Sequence, residues 1–220
     1  MIKISKRLLA IAKLVPDNSR LIDIGSDHAL LDIYLYQTKS PVKIIISDIK
    51  KSALDNGIAN LKKYHLEDKI EARLGNGLEV ISKDEVDTII ISGMGAHTIV
   101  GMLLYSKNKL AGVTNLILQS NNDDYFLRQK IVTLGYYIDK EVLIKDKNII
   151  YTIIYFKKGK RRYSKKELYF GPLLLKENSL LFQEKKKLEL LKLQKILPII
   201  PKKKYFYRYK IKKKISLYKD

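Results

Sequence analysis

The hydrophobic positions change period along the chain. Ile4, Leu8, Ile11 and Ala12 recur at helical spacing and Pro16 closes the run, which predicts a leading helix over residues 4–14. From Leu21 onward, short apolar runs rich in β-branched residues alternate with segments of helical period. Strands are predicted over 21–24, 42–47, 70–74, 87–92 and 116–119, with helices over 29–36, 52–64, 98–105 and 123–134. Two further strands, 136–144 and 149–156, are separated only by Lys145-Asp146-Lys147-Asn148. Strand–helix alternation forces parallel pairing through crossovers, whereas so short a connection admits only an antiparallel hairpin. The pattern therefore predicts an α/β fold with a sheet of about seven strands, mostly parallel and ending in an antiparallel C-terminal hairpin.

The grammar changes at Lys157-Lys158-Gly159-Lys160-Arg161-Arg162. Beyond it Leu174, Leu181 and Leu188 recur every seven residues, with Leu191 at the next helical position, which predicts one long helix with an apolar seam, stopped by Pro198 and Pro201. Tyr207, Ile211, Ile215 and Tyr218 have the spacing of a second helix able to fold back on the first. The expected organisation is a sheet domain over 1–158 and a helical hairpin, or coiled coil, over 159–220.

Charge sharpens that division. Of a net +20, residues 1–159 hold 23 basic and 18 acidic side chains, while residues 160–220 hold 20 and 5, so three quarters of the excess lies in the tail. Such a field attracts polyanions, and nucleic acid is the natural partner because phosphate contacts release counterions. A solvated basic face remains the competing reading, since 36 of the 43 basic residues are lysine. With no cysteine, disulfides, zinc ribbons, iron–sulfur clusters and thiol nucleophiles are excluded, and three scattered histidines give no metal site. No apolar run approaches the roughly 20 residues of a membrane span, and the opening Met1 to Arg7 lacks the features of a signal peptide. A cytoplasmic protein without a membrane partner is expected.

Five segments carry candidate chemistry, each at the carboxyl end of a predicted parallel strand, where open α/β sheets put their ligands. The first runs from Asp23 through Ile24-Gly25-Ser26-Asp27-His28-Ala29. Gly25 makes the turn and the following helix N-terminus supplies free N–H groups. Gly25 stands alone, so this is not the dinucleotide fingerprint, and the acidic Asp27 favours a cationic ligand over a pyrophosphate. Asp27 as an ordinary helix N-cap is the plainer alternative. Asp48 ends the second strand, where an acid accepts hydrogen bonds from ribose hydroxyls. Gly75-Asn76-Gly77-Leu78 opens the backbone around Asn76, which can meet an adenine edge, although Asn-Gly is also a common turn. Ser92-Gly93-Met94-Gly95-Ala96 leaves room for a flat base, and Gln119-Ser120-Asn121-Asn122 ends the fifth strand in amides suited to a base edge.

Together with Ser5-Lys6-Arg7-Leu8 and Gly77-Leu78-Glu79-Val80-Ile81, these motifs resemble the bacterial tRNA (adenine-22-N1)-methyltransferases over about residues 3–156. The tail after Phe170-Gly171-Pro172 is similar to that family's coiled-coil appendage. The resemblance implies a class I methyltransferase Rossmann-like sheet, S-adenosylmethionine as methyl donor, S-adenosylhomocysteine as product, no metal, and N1 of an adenine in the D-arm region of tRNA as acceptor. Asn76 stands where the family usually has Asp, Ala96 where it has Gly and Ser120 where it has Pro. Cofactor affinity, not reaction type, is what Asn76 puts in question.

On this basis Asp23, Gly25, Ser26, Asp48, Asn76, Gly77 and Gly93 are the expected cofactor-binding residues. Asp27 is expected to stabilise the adenine cation, with His28, Gln119 and Asn121 as base-edge contacts and Met94 as packing. Lys6, Arg7, Arg128, Arg161, Arg162, Lys203, Tyr205 and Arg208 are the expected RNA contacts of a monomer. The tail aromatics Tyr205, Phe206, Tyr207 and Tyr209 either stack on exposed bases or form the seam of the hairpin. The alternative functions are a non-catalytic RNA-binding protein on a methyltransferase scaffold, and a methyltransferase acting on another RNA or on protein.

Overall fold

The structure, a computed structural model, describes residues 1–218. The chain divides into two compact units, one from Met1 to Tyr163 and one from Ser164 onward. The elements of the first are α1 (Lys6–Leu14), β1 (Arg20–Ile24), α2 (Leu30–Thr38), β2 (Lys43–Asp48), α3 (Lys51–Lys63), β3 (Glu71–Leu74), β4 (Thr88–Met94), α4 (Ala96–Tyr105), β5 (Asn115–Ser120), α5 (Asp124–Thr133), β6 (Tyr136–Asp146) and β7 (Ile149–Lys158). All of them are expected from the hydrophobic period, with ends that move by at most two residues. Two 3-10 turns, Gly77–Val80 and Lys107–Leu110, carry no periodic signal and appear only in three dimensions.

Seven strands form one sheet in the order β3-β2-β1-β4-β5-β7-β6. The first five are parallel, with Leu21 paired to Ile44 on one side and to Thr88 on the other. Ile44, Ile45 and Ile46 of β2 and Ile89, Ile90 and Ile91 of β4 are buried on both faces, as strands covered by helices above and below require. The chain winds outward from β1 through β2 to β3, then returns to place β4 and β5 on the other side. Loops leaving β1 and β4 therefore diverge, and the crevice between them opens at the carboxyl ends. β7 runs antiparallel to both β5 and β6. The hairpin joining β6 to β7 is tighter than the sequence suggests, because Lys147 and Asn148 both take positive φ, as a two-residue turn that matches strand twist demands.

Arg128 on α5 is not an RNA contact. Its Nε donates to Glu141 Oε1 of β6 at 2.7 Å, and both side chains are almost wholly buried. The alternation of α5 does not reveal this, because an arginine at a helix position reads as solvated until the packing partner is known.

The second unit comprises α6 (Lys165–Phe170), α7 (Pro172–Glu177), α8 (Leu180–Ile199) and α9 (Tyr205–Ser216). Ser164 and Glu167 form a reciprocal capping box at the start of α6. The long helix expected from Leu174 onward is broken at Asn178, whose left-handed backbone ends α7, and Ser179 restarts the chain by accepting from the Phe182 N–H. Pro198 lies inside the last turn of α8 rather than ending it. The heptad seam is also corrected: Leu188 and Leu191 are exposed. Leu174, Ile200 and Ile211 are buried, and an edge-to-face aromatic cluster sets Phe170 at 4.9 Å from Tyr218 and 6.4 Å from Phe182. Tyr205, Phe206, Tyr207 and Tyr209 are all more than half exposed, so they are not the seam of the hairpin. Arg208 is spent within the unit, donating from Nη1 to the carbonyls of Leu197 and Ile200 at 2.9 and 2.6 Å, where the last carbonyls of α8 lack helical partners. Among the described residues no helix is long and apolar enough to cross a membrane.

Arg128→Ala leaves the Glu141 carboxylate buried without its ion-pair partner, so a stability loss of about 3–5 kcal/mol is expected. Chemical denaturation of the variant checks it, and a loss under about 1 kcal/mol would contradict a buried pair.

Candidate active site

The β1–α2 loop begins with Gly25 at φ +81, and its N–H donates to the Ser47 carbonyl of β2 at 2.7 Å. A Cβ at Gly25 would meet the terminal methyl of Met94, which a flexible side chain can withdraw, so it is the left-handed backbone that calls for glycine here. The end of the Met94 side chain therefore lies against the backbone of this loop. The loop ends at Ala29, which takes left-handed φ and starts α2 without any side-chain cap. Asp27 is therefore not an N-cap. Its Oδ1 accepts from Asn56 Nδ2 at 3.2 Å, and His28 Nε2 lies 3.5 Å from its other oxygen, with both side chains more than half exposed. Asn60 donates to the His28 carbonyl at 3.0 Å. Asn56 and Asn60, one helical turn apart on α3, hold this loop from the side, and that spacing is the signal in the sequence that could have found them.

Asp48 terminates β2 half-buried, with Oδ1 accepting from the Lys50 N–H at 2.7 Å and its backbone carbonyl accepting from Gly75 at 3.0 Å. Its second carboxylate oxygen has capacity for a ribose hydroxyl. Beside it Ile49 is 65% exposed, an apolar side chain where a flat base needs one, and sequence reasoning passed it over. Asn76 is exposed and donates weakly to Glu79 at 3.3 Å, which leaves its side-chain oxygen as an acceptor. Gly77, at φ +56, turns the chain into the 3-10 segment. Lys109 then fastens that segment by donating to the carbonyls of Leu78, Glu79 and Ile81 at 3.0, 2.9 and 2.7 Å. A lysine among surface lysines gives no hint of this.

Across the crevice, Gly93 takes φ +79, and the loop is laced to the end of β5. Asn121 Nδ2 donates to the Gly93 carbonyl at 2.6 Å, the Asn121 N–H donates to the Met94 carbonyl at 2.8 Å, and Asn122 accepts from the Ala96 N–H at 3.0 Å. Gln119 is fully buried. Its oxygen accepts from Arg7 Nη1 at 2.8 Å and the Gly93 N–H at 3.1 Å, while its nitrogen donates to the Ser120 carbonyl at 2.8 Å and to Asn121 Oδ1 at 3.2 Å. All four of its hydrogen-bonding positions are taken, so Gln119 positions the floor instead of meeting a base edge. Asn121 remains exposed at the rim.

Arg7 is the third correction among the expected RNA contacts, after Arg128 and Arg208. From the first turn of α1 its Nη1 reaches Gln119 and Ser92 Oγ, its guanidinium lies 5.6 Å from the centre of the Tyr151 ring, and its N–H donates to Asp146 at 3.3 Å. It belongs to the floor of the crevice, whereas the adjacent Lys6 is exposed. Arg161 and Arg162 are exposed after β7, with Arg161 stacked 4.7 Å over Tyr137, and Lys203 and Tyr205 are exposed in the second unit.

Electrostatically the floor is dominated by two carboxyls. Asp23 is driven well above the usual carboxylate range by burial and then by the charge of Asp32, with Arg7 and Ser26 pulling the other way. Asp32, in the first turn of α2, is pushed up to about 6 by burial against the hydrogen bond from Ser26 Oγ, at 2.8 Å. Asp32 is not expected in the site from sequence, because it lies beyond the end of the motif, inside an apolar helix. An open glycine cradle, a ribose acceptor, an exposed isoleucine and an acidic floor form a receptor suited to a cationic nucleoside.

The fold and sequence are shared with known proteins. A profile of the family described as tRNA (adenine(22)-N(1))-methyltransferase matches residues 21–220. By sequence the chain is similar to the tRNA (adenine(22)-N(1))-methyltransferase of Bacillus subtilis, 32% identical over 190 residues that cover 84% of this chain and 80% of that one. By structure it is similar to Streptococcus pneumoniae Sp1610 in complex with S-adenosyl-L-methionine, at 32% identity and a TM-score of 0.90 over 99% of this chain and 98% of that one. It is also similar to M. capricolum TrmK in complex with S-adenosyl-homocysteine, at 28% identity and a TM-score of 0.84 over 98% and 96% of the two chains. With a match that runs from the first strand of the sheet through the second unit, the chain belongs to the tRNA (adenine(22)-N(1))-methyltransferase family.

Proposed function

We infer that this protein transfers a methyl group from S-adenosylmethionine to N1 of adenine 22, in the D-arm region of tRNA. The observation that carries the reading is the meeting at one sheet edge of two half-sites: the cradle of Gly25, Asp48 and Asn76, and the laced floor of Arg7, Gly93, Gln119 and Asn121. When bound, S-adenosylmethionine supplies an electrophilic methyl group on a cationic sulfur. Adenine N1 carries a free lone pair at neutral pH, so no residue need act as a strong base. The methyl carbon bonds to N1 as its bond to sulfur breaks; sulfur keeps the electron pair and the positive charge passes to the adenine. The protein's task is alignment and stabilisation of that charge.

Within this reading Asp23, Gly25, Ser26, Asp48, Asn76, Gly77 and Gly93 receive the cofactor. Asp27 faces the developing cation from the exposed rim, with His28 and Asn121 as base-edge contacts and Gln119 as the positioning residue beneath them. N1 faces a pairing partner inside a helix, so the adenine must be unpaired or swung out to enter. The first unit is the methyltransferase domain and the second an RNA-binding appendage, its exposed Lys203 and its exposed tyrosines available for phosphates and for stacking. Lys6, Arg161 and Arg162 extend the basic surface of the first unit. We take the enzyme to act as a monomer, and the tRNA substrate fits a cytoplasmic enzyme.

Three outcomes are expected. Asp48→Ala loses hydrogen bonds to a charged group, roughly 1.5 to 3 kcal/mol, and so weakens cofactor binding about tenfold to hundredfold in titration calorimetry; unchanged affinity would remove the ribose role. Asp27→Ala lowers the single-turnover methylation rate more than it weakens cofactor binding, because its interaction grows as the base becomes cationic. Ending the chain after Tyr163 leaves cofactor affinity near that of the full chain but lowers tRNA affinity in filter binding. The plot of log affinity against log salt also flattens, by about 0.7 to 0.9 for each phosphate that the shortened chain no longer neutralises.

A further inference from the structure

Asp32 is wholly buried, and the motif chemistry has no use for it. One oxygen accepts from Ser26 Oγ at 2.8 Å, and the other, Oδ1, has no hydrogen-bond donor. The Asp23 carboxyl lies within hydrogen-bonding reach of it. Two carboxylates cannot satisfy each other, since both only accept, but a carboxylic acid and a carboxylate can. The charge of Arg7, from α1, bears on Asp23, and Ser26 contributes a neutral hydroxyl. One cation balances one carboxylate, so the geometry calls for one proton between Asp23 and Asp32 before a ligand arrives.

We propose that Asp32 is a positioning residue of the cofactor site which holds a proton in common with Asp23, and that the ammonium group of the arriving cofactor expels that proton to solvent. Asp23 keeps 6% of its surface exposed and Asp32 none, so a ligand can meet only Asp23. Before binding, the pair carries one negative charge opposite Arg7. After binding it carries two, opposite Arg7 and the ammonium, and an N–H···O bond to Asp23 replaces the O–H···O bond between the carboxyls. The floor is neutral in both states, which is what a dry site requires. Binding is thereby coupled to proton release: affinity rises with pH while the unliganded pair still holds its proton, and levels off once it has given it up. This rests on the reading of the crevice as an S-adenosylmethionine site.

Titration calorimetry of the full chain in phosphate and in imidazole at about pH 6.5, where the cofactor's own amino group is already protonated, counts the protons released. S-adenosylmethionine and S-adenosylhomocysteine, which both carry the ammonium, are expected to release about one proton each, and adenosine, which lacks it, none. Asp32→Asn can donate to Asp23 and keep it ionised, so the variant is expected to bind S-adenosylmethionine without release and with a flat pH profile. In the unaltered protein affinity should rise with pH, by up to about tenfold per unit, for as long as the unliganded pair holds its proton. Zero release by the unaltered protein, equal release by the variant, or equal release with adenosine would each overturn the proposal. Should Asp32→Asn fail to fold, the pH profiles of the unaltered protein for S-adenosylmethionine and adenosine decide alone, and parallel profiles would overturn it. Absence of any binding heat with S-adenosylmethionine would instead overturn the methyltransferase reading, and the proposal with it.

Discussion

The carboxamide of Gln119 is the junction on which the crevice depends. It lies at the end of β5 with no surface exposed, and in one residue it joins α1 through Arg7, the β4 loop through Gly93, and its own strand end through Ser120 and Asn121. A buried amide with all of its hydrogen bonds made is rigid, because breaking any of them strands a polar group away from water. Rigidity here is what lets Gly93 hold a left-handed turn and Asn121 stand at the rim in one orientation. Arg7 is held in turn by the same contact, so a helix at the start of the chain becomes part of a site built by strands far along it.

The opposite half of the crevice is organised by a left-handed glycine turn and by side chains that fasten its loops from outside. Gly25 lets the loop after β1 pass beneath Met94, and the loop is then kept in place from α3 by Asn56 and Asn60. Lys109 does the equivalent for the turn that presents Asn76. The receptor is thus a set of loop residues immobilised by side chains that never face the ligand. This accords with catalysis by alignment, for which displacement of a reacting atom by an ångström is costly.

The two units place charge under different physical conditions. In the floor of the crevice Asp23 and Asp32 are shielded from water beside the half-buried Arg7, so their charges are costly unless balanced locally. In the second unit most lysines are exposed, and their charge acts over roughly a Debye length as a field for polyanions. Arg208 and Arg128 show why arginine count alone misleads: one caps α8, the other pairs with Glu141, and neither is available to phosphate.

The alternation of apolar runs determined the sheet and its crossovers, because strand and helix impose periods that composition cannot disguise, and the glycine and acid at strand ends were legible as candidates for a ligand site. The same logic failed in the tail. Heptad spacing at Leu174, Leu181 and Leu188 is a statement about one continuous helix, and a single left-handed residue, Asn178, shifts the register so that Leu188 faces water. Only the tertiary structure decided the partners of long polar side chains. Arg7, Arg128, Arg208 and Gln119 all read from sequence as contact residues, yet each finds its acceptor or donor on an element distant in the chain or across a helix end. Local period is a property of neighbouring residues and survives in the sequence; hydrogen-bond pairing across elements exists only once the backbone has closed.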